Sequence, residues 1–151
     1  MSPEAVLEFR VPAQPRLARV VRQVASDFAV SNGIGREDLG HFLTALGEAV
    51  ANAIEHAQAS DGIDIGIRVD HECIVATVED AGVGFAVDAA VDGKLPDFDA
   101  ERGRGLAIMR HCSDIFTVSS EPGKGTAVVI GRYLHKASGN GSVSMPEARL
   151  A

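Results

Sequence analysis

Positive charge is scarce in this sequence of 151 residues: 14 Lys and Arg stand against 21 Asp and Glu, a net charge of −7. No basic patch is available to neutralise phosphates, which excludes direct nucleic-acid binding as the main task. Cysteine is nearly absent. The two cysteines, Cys73 and Cys112, have no CxxC spacing, so both read as buried reduced thiols, and neither a disulfide nor a zinc site is expected. No apolar run approaches the roughly 20 residues that span a bilayer. The opening MSPEAVLEFR carries an early Glu and lacks the apolar core of a secretion signal. A cytoplasmic protein without membrane attachment is therefore expected. Hydrophobic residues make up 46% of the chain, which excludes a disordered protein, and the length suffices for one domain with a real core.

Patterning gives the elements. Leu7, Phe9 and Val11 alternate with Val6, Glu8 and Arg10 before Pro12, as in a short edge strand. Pro15 suits a first helical turn, and Leu17, Val20, Val21, Val24 and Phe28 follow at helical spacing, predicting a helix over Pro15–Val30. Asn32-Gly33 and Gly35 stop it, and a second helix is predicted over Arg36–Ala59. Ile63, Ile65, Ile67 and Val69 alternate with Asp64, Gly66 and Arg68, as in a half-buried strand, and after a turn at Asp70-His71, Ile74, Ala76 and Val78 alternate with Val75 and Thr77. Asp80 shares the phase of Ile74, Ala76 and Val78 and is expected to leave the strand on their face. Ala81–Phe85 reads as a loop and 86–102 as a long acidic connection, of the kind that is functional when found in a compact domain. A short helix is expected from Leu106 to Met109, then strands at Ile115–Ser120 and Thr126–Leu134. From Lys136 the composition turns to Ser, Gly, Asn and Pro. The expected division is thus a domain over 1–135 and a disordered tail over 136–151. The order β-α-α-β-β-loop-α-β-β fits an α+β two-layer sandwich, a mixed and mainly antiparallel sheet with its helices on one face.

The second helix carries the chemistry. Glu48, Asn52 and His56 recur every fourth residue and drift through an arc of roughly 80° at about 100° per residue. Leu43, Leu46, Val50, Ala53, Ile54 and Ala57 form the adjoining apolar stripe. A carboxylate, an amide and an imidazole thus line up beside a core-facing edge. An ordinary solvated helix face has the same pattern, but a mid-helix Asn has poor propensity and no evident structural purpose.

Three further motifs follow in order: Asp80-Ala81-Gly82-Val83-Gly84, Gly103-Arg104-Gly105-Leu106 and Gly123-Lys124-Gly125-Thr126. Each alone reads equally well as a turn. None is a Walker A sequence or a dinucleotide fingerprint. Taken together, and in this order, the four resemble the ATP-binding Bergerat fold of the GHKL superfamily, over roughly Leu7 to Leu134. Within it, the phrase ALGEAVANAIEHA and the preceding strand and helix pair are most similar to bacterial anti-sigma-factor serine/threonine kinases.

The resemblance implies a role for each motif. Asn52 would hold Mg²⁺ bridging the phosphates of ATP, and Glu48 would act on the attacking hydroxyl. Asp80 would accept from the adenine amine with support from Thr126. Gly82 and Gly84 would admit the backbone close to the nucleotide. Residues 86–102 would form a lid, with the phosphate-touching residue of this acidic segment left open. Gly103 and Gly105, ahead of Leu106, would expose amides at the start of the next helix. Arg104 would neutralise transferred charge, and His56 would stand beside the phosphates or serve structure. These roles agree with elementary chemistry: helix N-termini attract anions, glycines permit close approach, and hard Mg²⁺ prefers oxygen ligands.

Two functions follow from the resemblance. The first is an ATP-dependent protein kinase that phosphorylates a STAS-type anti-anti-sigma protein, sequesters a sigma factor and forms a homodimer. The second is a non-catalytic module whose partner surface depends on nucleotide; the presence of Glu48 argues against it. A histidine kinase would need an acidic residue after its phospho-accepting His, whereas His41 is followed by Phe42.

Overall fold

The computed structural model describes residues 4–57, 62–84 and 100–135. Strand β1 (Ala5–Pro12) leads into helices α1 (Leu17–Ser31) and α2 (Arg36–His56). The hairpin β2 (Gly62–Val69) and β3 (Cys73–Asp80) follows, then helix α3 (Ala100–His111) and the hairpin β4 (Ile115–Ser120) and β5 (Thr126–Tyr133). The strands form one sheet in the order β1-β2-β3-β5-β4, and all four pairings are antiparallel. β1 is an edge strand, as Pro12 at its end foretold. The predicted disordered tail and most of the predicted lid lie outside the described residues. The second helix ends at His56, short of the predicted Ala59, because Ala57 already turns to an extended backbone.

Alternation decides which face is covered. Ile63, Ile65, Ile67 and Val69 of β2 are buried under the helices, while Asp64 and Arg68 between them are exposed. Register carries the same layer across the sheet: Ile65 stands beside Val78, and Val78 beside Val128. Ala45, Ala49 and Ala53 of α2 are at most 2% exposed, and Phe42, Leu46 and Val50 are fully buried among them. Small residues between large ones let α1 and α3 flank α2 closely. α1 begins at Leu17 rather than Pro15 because the backbone first closes a tight turn, with Leu17 N–H on the Gln14 carbonyl at 2.9 Å. Cys112 is buried as expected. Cys73 is only half-buried, because it opens β3 at the sheet's end, and burial followed by the charge of Asp70 pushes its thiol up. No described helix is long and apolar enough to cross a membrane.

One polar clamp ties α2 to the end of the sheet. Asp38, 5% exposed in the first turn of α2, accepts from the His135 backbone N–H at 3.0 Å and from His135 Nδ1 at 2.7 Å. The guanidinium of Arg132 lies 3.4 Å from the same carboxylate. Burial alone would raise the Asp38 carboxyl. The His135 hydrogen bonds and the charges of His135 and Arg132 outweigh that and hold it below the ordinary carboxylate value. A lowered folded-state pKa contributes stability that is present above the unfolded-state value and is lost as pH falls through the folded one. Asp38→Asn is therefore expected to cost about 1.5–3 kcal/mol at neutral pH, the usual loss of a charged hydrogen bond. The gap to wild type should close below about pH 4. Thermal melts of both proteins from pH 7 to pH 3 check this; a gap independent of pH would show that the carboxylate's charge is not what stabilises the clamp.

Candidate functional site

The four motifs singled out in the sequence meet at one end of the sheet. α2 ends there at His56, and the loop after β3 folds back against it: Val83 N–H bonds the His56 carbonyl at 3.4 Å. Gly82 is so close that a Cβ at that position would collide with this same carbonyl and with Ala57. The loop then meets the β4–β5 turn. Gly123 N–H donates to the Val83 carbonyl at 2.5 Å, and a Cβ on Gly84 would strike the Glu121 carbonyl. Gly125, with φ +81°, passes so near Asp80 that a Cβ would strike the Asp80 carbonyl. Three backbone segments interlock here, and glycine is what lets them. In the described structure, Gly82 and Gly84 thus face other backbone of this chain.

On the helix-facing side of the sheet, register sets Asp80 beside Thr126 and Thr126 beside Ser120. Asp80 Oδ1 accepts from Gly82 N–H at 2.8 Å, an Asx turn that fixes the loop's departure. Thr126 is 7% exposed, and its hydroxyl lies 2.8 Å from that of Ser120. A hollow of about 310 Å³ at this end of the sheet is lined by residues of both phases, Glu79, Ser119 and Ala127 of the open face as well as Asp80, Ser120 and Thr126. A crevice of about 560 Å³ lies at the far end, around Asp38, His71 and His135, remote from all four motifs.

On α2, Asn52 is buried at 9% exposure and Glu48 is half-buried. The His56 ring is also largely covered, with Nε2 at 3.9 Å from Glu55. α3 lies against α2 at Gly105, where a Cβ would come within 3.2 Å of Glu48 Oε1. Glycine at this position therefore sets the room left for that carboxylate.

One expectation needs correction. Gly103-Arg104-Gly105 was expected as a turn ahead of a short helix, but α3 begins at Ala100 and runs through all three. Gly103 and Gly105 are thus the fourth and sixth residues of the helix, past the first-turn amides that lack partners within it. Packing on α2 has overridden the low helix propensity of glycine. Leu106 is 2% exposed in the core, so its side chain is a packing element, and Arg104 is exposed. Among the described residues, no cluster of three His, Cys, Asp or Glu could hold a metal ion. A cation here would depend on a lone amide oxygen such as Asn52 together with ligand oxygens, the manner in which Mg²⁺ is held with phosphates. The residues present fit that arrangement.

Ser120, Asp38, Arg132 and His135 carried no sequence signal. A register count from Thr126 back across the β4–β5 turn would have found Ser120.

Comparison with known proteins agrees with this geometry. Residues 11–131 match the histidine kinase-like ATPase domain family. An anti-sigma F factor of Pasteuria penetrans is 34% identical over 100 residues, 61% of this chain and 66% of that protein, so the chain spans just under two thirds of its length. The serine-protein kinase RsbW of Staphylococcus aureus is 27% identical over 146 residues, 89% of this chain and 91% of that one. Among solved structures, the RsbU and RsbW domains of Rv1364c from Mycobacterium tuberculosis share the fold. The TM-score is 0.66 at 22% identity, over 86% of this chain and 32% of that one. Since the family match spans most of its length, this chain belongs to the histidine kinase-like ATPase domain family.

Proposed function

We propose that this protein is an ATP-dependent serine/threonine kinase of a partner-switching system. It transfers the γ-phosphoryl group of ATP to a Ser or Thr of a STAS-type anti-anti-sigma protein, and it sequesters a sigma factor when that antagonist is phosphorylated. The observation that carries the reading is the pairing on α2 of a buried Asn52 with a half-buried Glu48, one turn apart, beside the interlocked glycine loops. The names of the Pasteuria and Staphylococcus relatives support both halves of it, anti-sigma activity and serine-protein kinase activity.

Each residue has a defined task in this reading. Asp80 accepts from the exocyclic amine of adenine, a donor that guanine lacks at that place, and Thr126 supports the contact. The first-turn amides of α3, just ahead of Gly103, receive phosphate oxygens. Asn52 holds Mg²⁺, which supplies neutralisation of phosphate charge. Arg104 and His56 stand on the phosphate side. Glu48 takes the proton of the substrate hydroxyl as its oxygen bonds to the γ-phosphorus; the bond to the β–γ bridging oxygen breaks, and ADP leaves. Nucleotide state then biases which partner is held, which requires a different affinity for each partner in each state. Residues 1–135 make up the kinase unit, acting in the cytoplasm as a homodimer.

Calorimetry with ATP and Mg²⁺, followed by labelled phosphate transfer to a STAS-type protein, tests the proposal. Uptake of ATP and transfer to a Ser or Thr are expected. Failure of well-folded protein to take up any adenine nucleotide would overturn it. Uptake without transfer would instead favour a nucleotide-dependent binding module.

A further inference from the structure

We propose that Ser120 is a positioning residue for base recognition: it commits the hydroxyl proton of Thr126, so that Thr126 meets the nucleotide as an acceptor. This rests on the reading above in which Asp80 and Thr126 receive adenine.

The argument is one of proton counting. Ser120 Oγ lies 3.0 Å from the Gly125 carbonyl, which can only accept, so the single proton of Ser120 is committed to it. Ser120 Oγ is also 2.8 Å from Thr126 Oγ1, a hydroxyl–hydroxyl distance that requires a proton between the two oxygens. That proton must come from Thr126. Thr126 is then left with lone pairs alone for anything on its other side. Its neighbour across the β3–β5 pairing is Asp80, whose carboxylate is an acceptor as well. The row therefore accepts and does not donate. It suits the N–H of an exocyclic amine, met directly or through a water. It opposes a carbonyl at the same place, which is what guanine presents. A threonine free to turn its proton outward would lose that discrimination. The same Ser120 hydroxyl fastens Gly125, whose backbone presses on Asp80, so one side chain sets both the proton direction and the seat of the row.

The test compares wild type, Ser120→Ala, Ser120→Thr, Ser120→Cys, Thr126→Val and the Ser120→Ala/Thr126→Val double variant. ATP and GTP are titrated by calorimetry with Mg²⁺ present, and KM and kcat for phosphoryl transfer are measured with each. Ser120→Ala is expected to reduce the ATP-over-GTP preference about tenfold, the usual worth of one hydrogen bond. The change should appear mainly in KM rather than kcat. Ser120→Thr should restore the preference, and Ser120→Cys, a weaker donor, should fall between Ser and Ala. In the Thr126→Val background, Ser120→Ala should add little, because the two act through one proton. A Ser120→Ala protein with a lowered melting temperature and an unchanged ATP-to-GTP ratio would reduce Ser120 to a structural strut and overturn the inference. So would a full effect persisting without Thr126. Should the alanine variant fail to fold, an unchanged ratio in Ser120→Cys decides the matter the same way. Wild type that prefers ATP while these variants do not respond sinks this inference alone. Wild type that binds neither nucleotide sinks the kinase reading with it.

Discussion

Glu48→Gln should slow phosphoryl transfer to the protein substrate by about 10²–10⁴-fold, the usual contribution of a positioned general base. Nucleotide affinity should stay near that of wild type. Glutamine has nearly the same shape, so it fills the half-buried place against Gly105 without disturbing α3. What it loses is the ability to take a proton. Asn52, Asp80 and Thr126, the proposed contacts to metal and base, are untouched. Single-turnover transfer with ATP bound in advance separates the two effects: the rate of the chemical step should fall while the binding isotherm is preserved. Undiminished transfer would remove Glu48 from the mechanism. An equal loss of binding and rate would mean that the carboxylate holds nucleotide rather than acting on the hydroxyl.

Gly125→Ala carries the largest expected cost to stability. Gly123 and Gly125 have nearly the same backbone angle, φ +83° and +81°, and sit two residues apart in one turn. An added Cβ at Gly123 meets nothing within 4 Å, whereas at Gly125 it runs into the Asp80 carbonyl. The pair therefore separates two effects that are usually confounded. Gly123→Ala incurs only the left-handed backbone penalty, about 1–2 kcal/mol. Gly125→Ala incurs that and must also push β3 away from the turn, for a total of about 3 kcal/mol or more. This is a large share of the 5–15 kcal/mol that holds a typical domain together. Urea unfolding of the two variants measures the difference, and nucleotide binding should fail along with Gly125→Ala stability. Equal midpoints would show that the interlocked backbone is not what fixes this end of the sheet.

The comparison of these glycines also explains what the sequence made legible. Periodicity within an element was easy to read. Ile63 to Val69 announced a half-covered strand, and the shared phase of Ile74, Ala76, Val78 and Asp80 put that aspartate on the helix-facing side, where register places it beside Thr126. The four motifs were visible as residues, and their convergence is what the fold adds. Harder to read were features that arise only when distant segments pack. Gly103 and Gly105 looked like a turn ahead of a helix because propensity is local, yet α3 runs through them, and Gly105 lets it lie on α2. Asp38 and His135 are 97 residues apart, so no spacing could link them. Ser120 is the last residue of a predicted strand and carried no signal of its own. Its importance comes from the register of the β4–β5 pairing, which a turn of uncertain type leaves open.

The clamp at the other end of the molecule has a practical consequence. Among the described residues the last strand ends at Tyr133, which invites a truncation immediately after β5. Cutting after Leu134 would strip Asp38 of both donors from His135 and leave a carboxylate that is 5% exposed beside Arg132 alone. The shortest version of this protein that keeps its acid-sensitive anchor ends at residue 135, two positions past β5.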